Sequence, residues 1–123
     1  MASIEPIPRY DLNEKTAILI DTSPDLREQL LDAEVTRLDA ILFTHDHADQ
    51  THGIDDVRAL AIRNRAQIKA FMDAPTHDTL FPKFRYAFEG QGGYPAIIDV
   101  QPLINVNRPV HLSGPGGEVT CLP

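Results

Sequence analysis

The residues best suited to chemistry lie in one stretch, residues 44–53, which holds three of the five histidines of the chain. His45 and His47 are two residues apart, and Asp49 continues the same alternation. In an extended strand, such residues point to one face with Cα atoms about 7 Å apart. If the chain turns there, both imidazoles can converge on one ion. Imidazole nitrogen and carboxylate oxygen together suit zinc, with manganese or iron as alternatives.

The function that such a site favours is hydrolysis. A bound metal lowers the pKa of its water, polarises a phosphoryl or carbonyl oxygen and orients the attack. A carboxylate beside the metal can hold or deprotonate that water. The alternative is a polar turn after a strand, whose histidines only cap and form hydrogen bonds. The residues alone leave both interpretations open, because two imidazoles and one carboxylate are only part of a ligand set.

The elements around this stretch follow a strand–helix–strand pattern. Residues 16–20 form an apolar run typical of a buried strand, and residues 38–44 form a second one. Between them, Ser23 is suited to cap a helix, with Pro24 at its first position and a helical pattern to about residue 33. This pattern predicts two parallel neighbouring strands, with the histidines at the carboxyl end of the second.

The remaining elements alternate in the same way, so the predicted fold class is α/β. Residues 1–14, where Pro6 and Pro8 interrupt any regular element, are predicted to be weakly structured. We expect helices over residues 54–63 and from Ala74 to about Pro82, and strands over residues 67–71, 95–100, 109–112 and 118–122.

Composition narrows the classes of function. The chain of 123 residues is long enough for one domain with a core. A net charge of −7 disfavours nucleic acid as a partner. Cys121 is the single cysteine, so no intrachain disulfide can form. No apolar run approaches the roughly 20 residues of a membrane span, and the N-terminus does not resemble a signal peptide. These features predict a cytoplasmic protein.

The stretch from Thr44 to Asp49, with Gly53, resembles the His-x-His-x-Asp-His signature of the metallo-β-lactamase superfamily. That fold is an αββα sandwich with one or two metal ions. Residues 20–27 and 52–58 resemble a branch near the phosphoribosyl 1,2-cyclic phosphate phosphodiesterases of phosphonate breakdown. The resemblance runs from about Arg9 to the end of the chain. It implies a small phosphodiester or cyclic phosphate as substrate.

The resemblance also implies roles for single residues. His45 and His47 match ligands of the first metal. Asp49 matches a ligand of the second metal that also orients the catalytic water. Asp21 matches a supporting aspartate behind the ligands, although an ordinary strand-end aspartate is the alternative. The family has histidine where this chain has Gln50, which removes a ligand of the second metal, and His52 is a possible substitute in a different register.

Further ligands in the family come from segments that would follow residue 123. The resemblance therefore implies one incomplete domain, residues 1–123, that forms roughly the first half of the sandwich and leaves one face of its sheet exposed. Three hypotheses follow. The chain is a metal-dependent, phosphodiesterase-like hydrolase, a truncated and catalytically dead relative, or a small metal- or nucleotide-binding module that self-association completes.

Overall fold

The computed structural model describes residues 3–4 and 15–122, with the backbone alone at residues 3–4 and 48–49. Five strands form one sheet in the order β1-β2-β3-β4-β5. They are β1 (Ser3–Ile4), β2 (Ile18–Ile20), β3 (Ala40–Leu42), β4 (Ile68–Phe71) and β5 (Ile98–Val100). Strands β2 to β5 are parallel, and β1 is antiparallel to β2. The predicted parallel pair is therefore confirmed.

Predictions for the N-terminal residues have a mixed outcome. Weak structure was expected throughout residues 1–14, but Ser3–Ile4 form a short strand in which Ser3 lies opposite Ile20 in the sheet. The rest of that prediction, residues 1–2 and 5–14, lies outside the described residues. A two-residue strand has too little pattern to be recognised, since its pairing is formed with a distant segment of the chain.

Among the described residues, five α-helices connect the strands. They are α1 (Leu26–Asp32), α2 (Ala48–Thr51), α3 (Arg58–Asn64), α4 (Ala74–Lys83) and α5 (Arg85–Glu89). The helix predicted over residues 54–63 is split, with a 3₁₀ segment, Ile54–Val57, before α3. The split begins where the Asp56 N–H donates to the Gly53 carbonyl three residues back, at 3.0 Å.

The predicted cap of α1 is wrong. The first flanking residue of α1 is Asp25, and it makes no side-chain capping bond. The Ser23 hydroxyl instead donates to the Gln29 side chain at 3.1 Å, while the Ser23 carbonyl accepts the Leu26 N–H at 3.0 Å. The backbone carbonyl of Ser23, and not its hydroxyl as predicted, therefore accepts the N–H at the start of α1.

The two faces of the sheet have different partners. Leu19, Ile41 and Ala70 alternate onto the face that packs against the helices, where they belong to the main core. Ile18 and Ala40 point to the opposite face and pack with Leu112 in a second, smaller cluster. The helices therefore cover one face of the sheet, and the segment around Leu112 covers part of the other.

That segment is a hairpin of β6 (Val110–Gly114) and β7 (Gly117–Cys121), joined by the glycine-rich turn that the sequence predicts. Leu112 is 1% exposed beneath it. The expectation of one exposed sheet face is wrong where the hairpin packs. Across the described residues, no helix has both the length and the apolar character that a membrane crossing requires.

Candidate functional site

Asp21 joins the carboxyl ends of the two neighbouring strands β2 and β3. Its backbone is left-handed, with φ of 59°, a conformation that aspartate and asparagine tolerate better than most residues. The Asp21 N–H donates to the Leu42 carbonyl at 2.9 Å. Its carboxylate accepts the Thr44 N–H at 2.7 Å and the Thr44 hydroxyl at 2.6 Å. The side chain is buried, so these bonds hold the start of the histidine stretch rigidly against β2.

The two histidines of the motif lie side by side, immediately after the Thr44 that Asp21 holds. The ring centroids of His45 and His47 are 5.8 Å apart and their planes differ by 27°. The Nδ1 atom of His45 lies 3.1 Å from the Thr44 hydroxyl oxygen. The Nε2 atom of His47 lies 3.9 Å from the Asp46 carboxylate, and 73% of the His47 side chain is exposed. Both rings are open to solvent at the carboxyl edge of the sheet.

A second set of bonds fixes the turn around α2 to the loop after β2. The Thr22 N–H donates to the Gln50 carbonyl at 2.7 Å, and the Thr22 hydroxyl donates to the Thr51 carbonyl at 3.1 Å. The Gly53 N–H donates back to the Thr22 carbonyl at 2.9 Å. The buried Thr51 hydroxyl closes the set by donating to the His47 carbonyl at 2.9 Å. The backbone that carries His47 is thus held from both sides.

A glycine is required at position 53 because the backbone there lies very close to the backbone of Ser23. A Cβ atom there would lie 1.8 Å from the Ser23 carbonyl oxygen. The glycine of the motif therefore lets the turn after α2 pack directly on the loop after β2.

Asp73, which the sequence analysis did not single out, lies near His45. It follows β4 and caps α4, accepting the Thr76 N–H at 3.0 Å. Hydrogen bonds from Thr76 lower the pKa of Asp73, and the nearby His45 lowers it further. The sequence contained a signal for this cap, since an aspartate followed by Ala74–Pro75 and then Thr76 is a common start of a helix.

The donors in this region fit part of a metal site. Two imidazoles that bind one zinc ion at about 2.1 Å place their centroids roughly 5 to 6 Å apart, which agrees with the separation of His45 and His47. Within residues 15–47 and 50–122, whose side chains are described, no three His, Cys, Asp or Glu side chains are grouped for a metal. The side chain of Asp49 lies outside the described residues, so its predicted role stays a prediction.

The ring of His52, the possible substitute ligand, contacts an aromatic side chain, and its ligand role stays a prediction. Its ring is exposed and packs edge-on against Phe84, with centroids 5.8 Å apart. The described side chains do not form a group of three with it. The Asp21 carboxylate contacts Thr44, the residue before His45, and its predicted role in supporting a metal ligand stays a prediction.

Comparisons with known proteins agree with this architecture. The family described as "Beta-lactamase superfamily domain" matches residues 16–123. The structure of a new diphosphatase from the PhnP family is similar at a TM-score of 0.67 and 32% identity, covering 79% of this chain and 35% of that one. Zn²⁺-bound PqqB from Methylobacterium extorquens is similar at 0.59 and 15% identity, covering 82% and 33%, which supports the fold alone.

A curated octanoyltransferase from Porphyromonas gingivalis (strain ATCC BAA-308 / W83) is 37% identical over 71 residues. That similarity covers 58% of this chain but 14% of the octanoyltransferase. The chain likewise spans about a third of each of the two solved proteins. Because the family match covers most of the chain, and both solved relatives have the metallo-β-lactamase fold, the chain belongs to the beta-lactamase superfamily domain family.

Proposed function

We propose that this chain carries part of the metal centre of a phosphodiesterase-like hydrolase, with His45, His47 and Asp49 as metal ligands. The observation that carries the proposal is the pair of adjacent imidazoles at the carboxyl edge of a parallel sheet, held there by Asp21 through Thr44. Ligand sites favour this edge in α/β folds. Membership of the superfamily and the similarity to a diphosphatase support a hydrolase.

The residues of this chain have separate tasks in the proposed reaction. When bound, the metal would supply Lewis-acid polarisation of a phosphoryl oxygen and a water of lowered pKa. His45 and His47 would hold it, and Asp21 would keep His45 oriented through the Thr44 hydroxyl. Asp49 would orient the attacking water and accept its proton. Zinc suits two imidazoles and a carboxylate, with manganese or iron as alternatives.

The proposed substrate is a small phosphodiester or cyclic phosphate. A net charge of −7 does not favour a long polyanion such as nucleic acid. The diphosphatase relative acts on phosphate compounds by its description, and this chain covers 35% of that protein.

A second candidate is a metal-binding module without hydrolysis. Gln50 stands in the motif where the superfamily has a histidine, and the described residues bring two imidazoles together without a third ligand. A catalytic zinc site uses three protein ligands and an open position. Two copies of the chain that lend each other ligands would complete such a site.

Elemental mass spectrometry of the purified chain tests both candidates. We expect near-stoichiometric zinc, manganese or iron, lost in the double variant His45→Ala/His47→Ala. His111→Ala is the matched control, because His111 is an exposed histidine on β6. No metal in a chain that circular dichroism shows to be folded would refute both candidates.

A bis-aryl phosphodiester assay and gel filtration then separate the two candidates. Hydrolysis that is lost with His45 and His47 supports the hydrolase. Metal binding without hydrolysis, with a metal-dependent change from monomer to dimer, supports the binding module.

A further inference from the structure

We infer that the chain has a second binding site, apart from the histidine turn, for a neutral planar ring that has a hydrogen-bond donor beside an acceptor on its edge. Nicotinamide and the nucleobases are rings of this class. The observation that carries the inference is a cavity of about 520 Å³ between the start of α3, α5 and the loop after α5, residues 90–97. Its lining combines two phenol rings, a guanidinium, an amide, a carboxylate and a glycine, which belong to Tyr86, Tyr94, Arg58, Gln91, Asp55 and Gly92. Cavities of this size commonly hold small molecules.

The cavity lies apart from the candidate metal centre. His45 and His47 follow the carboxyl end of β3, and neither of them lines the cavity. The Arg58 guanidinium donates through Nη1 to the Pro95 carbonyl at 3.4 Å, and Pro95 lies three residues before β5 begins. Because β3, β4 and β5 are parallel, the end of β3 and the start of β5 lie at opposite edges of the sheet. The inference therefore goes beyond the proposed function and does not depend on a bound metal.

Arg58 holds the walls of this cavity together. Its Nε atom donates to the Asp55 carboxylate at 3.1 Å. Its guanidinium carbon lies 5.8 Å from the ring centroid of Tyr86 and 5.3 Å from that of Tyr94, within the roughly 6 Å of a cation–π contact. The Arg58 side chain is 15% exposed, so part of it stays accessible to a ligand. One residue thus positions both rings before a ligand arrives, which reduces the entropy lost on binding.

The charges of the cavity favour a neutral ligand. Asp55 and Arg58 form an ion pair, so their charges offset each other. A cationic ligand would compete with the Arg58 guanidinium for the faces of Tyr86 and Tyr94. An anionic ligand would lie beside the Asp55 carboxylate, whose side chain is 53% exposed. Burial raises the pKa of Tyr86 and the nearby Asp55 raises it further, so the Tyr86 hydroxyl stays a neutral hydrogen-bond donor.

The other lining groups select a planar ring with a donor and an acceptor on its edge. Aromatic rings stack on tyrosine rings and on guanidinium planes, and Tyr94 is 65% exposed. The exposed side-chain amide of Gln91 contains both a donor and an acceptor, so it can pair with both groups on such an edge. A Cβ atom built at Gly92 would have nothing within 4 Å, so this part of the loop does not fill the cavity.

The backbone of the loop keeps its shape without help from the side chains that would contact the ligand. The Gln91 N–H donates to the Tyr94 carbonyl at 2.9 Å, and the Tyr94 N–H donates to the Gln91 carbonyl at 2.8 Å. Substitution of either side chain leaves both of these hydrogen bonds available. Gln91 and Tyr94 are therefore suitable positions for testing the site without removing the loop.

An NMR titration of the metal-free chain, dialysed against a chelator, tests the inference. The ligands are nicotinamide, uridine and adenosine, which have no phosphate and no net charge. We expect saturable shifts of backbone signals in residues 90–97, with a dissociation constant of about 1 mM or below for at least one ligand. Tighter binding of nicotinamide would identify a carboxamide ring as the ligand, and tighter binding of a nucleoside would identify a nucleobase. No saturable shift with any of the three ligands would overturn the inference, as would equally tight binding of tetramethylammonium or benzoate.

Variants of the two loop residues locate the bound ring. Loss of a stacking partner weakens base binding about 10- to 100-fold, so Tyr94→Ala should bind that much more weakly, whereas Tyr94→Phe should bind like the unaltered chain. Gln91→Ala should weaken binding about fivefold through the lost hydrogen bonds. Val106→Ala is the matched control, because Val106 is 73% exposed and does not line the cavity. Unchanged affinity in both Tyr94→Ala and Gln91→Ala would overturn the inference.

The double variant His45→Ala/His47→Ala separates this inference from the proposed function. We expect it to bind the ring as the unaltered chain does. Loss of ring binding in the double variant would place the ligand at the histidine turn, and this inference would then fail. If the unaltered chain binds a ring but no metal, the proposed function fails and this inference stands. If Tyr94→Ala does not fold by circular dichroism, Gln91→Ala and the double variant still decide the outcome.

Discussion

Gly53→Ala is expected to be the most damaging small substitution near the motif. The new Cβ atom would lie 1.8 Å from the carbonyl oxygen of Ser23 and 3.0 Å from the Cβ atom of Leu26. The contact at Ser23 is with backbone, so no side-chain rotation can relieve it. The backbone φ of Gly53 is −91°, which alanine adopts easily, so the cost comes from crowding and not from backbone strain.

The size of the effect can be worked from these distances. Ordinary van der Waals contact begins at 3.4 Å, so the two loops must separate by about 1.6 Å along that contact. This movement breaks the bond from the Gly53 N–H to the Thr22 carbonyl, now 2.9 Å long. The lost bond costs about 1 kcal/mol and crowding a packed region about 2 kcal/mol more. At about 4 °C per kcal/mol for a chain of this size, the melting temperature should fall by about 12 °C.

Gly92→Ala is the matched control for this prediction. Gly92 has φ of 54° and nothing within 4 Å of a built Cβ atom, so alanine there meets strain without crowding. That strain costs about 1 kcal/mol, or about 4 °C. Thermal melts followed by circular dichroism measure both variants against the unaltered chain. A melting temperature for Gly53→Ala no lower than that for Gly92→Ala would refute the close-packing argument.

Three further substitutions, one of them a control, test the start of α4 and the packing of the hairpin. The hydrogen bonds from Thr76 lower the pKa of Asp73, so the stability it contributes is present above the carboxyl pKa of the unfolded chain and is lost as the pH falls through the lower folded value. Asp73→Ala should lower the free energy of unfolding by about 1 kcal/mol near pH 7. On acidification, the free energy of unfolding should fall less in this variant than in the unaltered chain. Equal decreases in the two chains, measured by urea titration, would contradict this prediction. Leu112→Ala should cost about 2 to 4 kcal/mol because Leu112 packs on Ile18, whereas Val119→Ala, 40% exposed, should cost under about 1 kcal/mol. Similar urea midpoints for Leu112→Ala and Val119→Ala would show that the packing of the hairpin on the sheet does not stabilise the chain.

The parallel sheet was predictable because its strands are short apolar runs separated by strong turn and helix signals. The runs before Asp21 and before Thr44 stand out by composition, and the helical pattern between them implies a parallel pair. The location of His45 and His47 at the carboxyl end of a strand follows from the same reasoning. The hairpin was also predictable as two strands and a turn, but its packing on the second sheet face was not, because that contact involves residues far apart in the chain.

The hydrogen bonds inside the site were harder to predict from the sequence than the residues that form it. The motif includes Thr44, but its role depends on the left-handed φ of Asp21, which turns that carboxylate towards the neighbouring strand. A sequence shows that aspartate tolerates this conformation and not that it adopts it. The same limit explains the wrong cap at Ser23, since capping by a hydroxyl or by a backbone carbonyl depends on one turn of the chain.

The hydrogen bonds of Thr22 also determine how the structure around the histidines should unfold. They link the loop after β2 to residues 50–53, which lie about thirty residues further along the chain, beyond α1 and β3. The amide of Gly53 lies between two short helical segments, where local fraying would ordinarily expose it to hydrogen exchange. Because its acceptor belongs to Thr22, that amide exchanges only when the two neighbouring strands separate. The order of the histidine turn is therefore tied to the cooperative unfolding of the sheet, and the histidines keep their arrangement for as long as β2 and β3 stay paired.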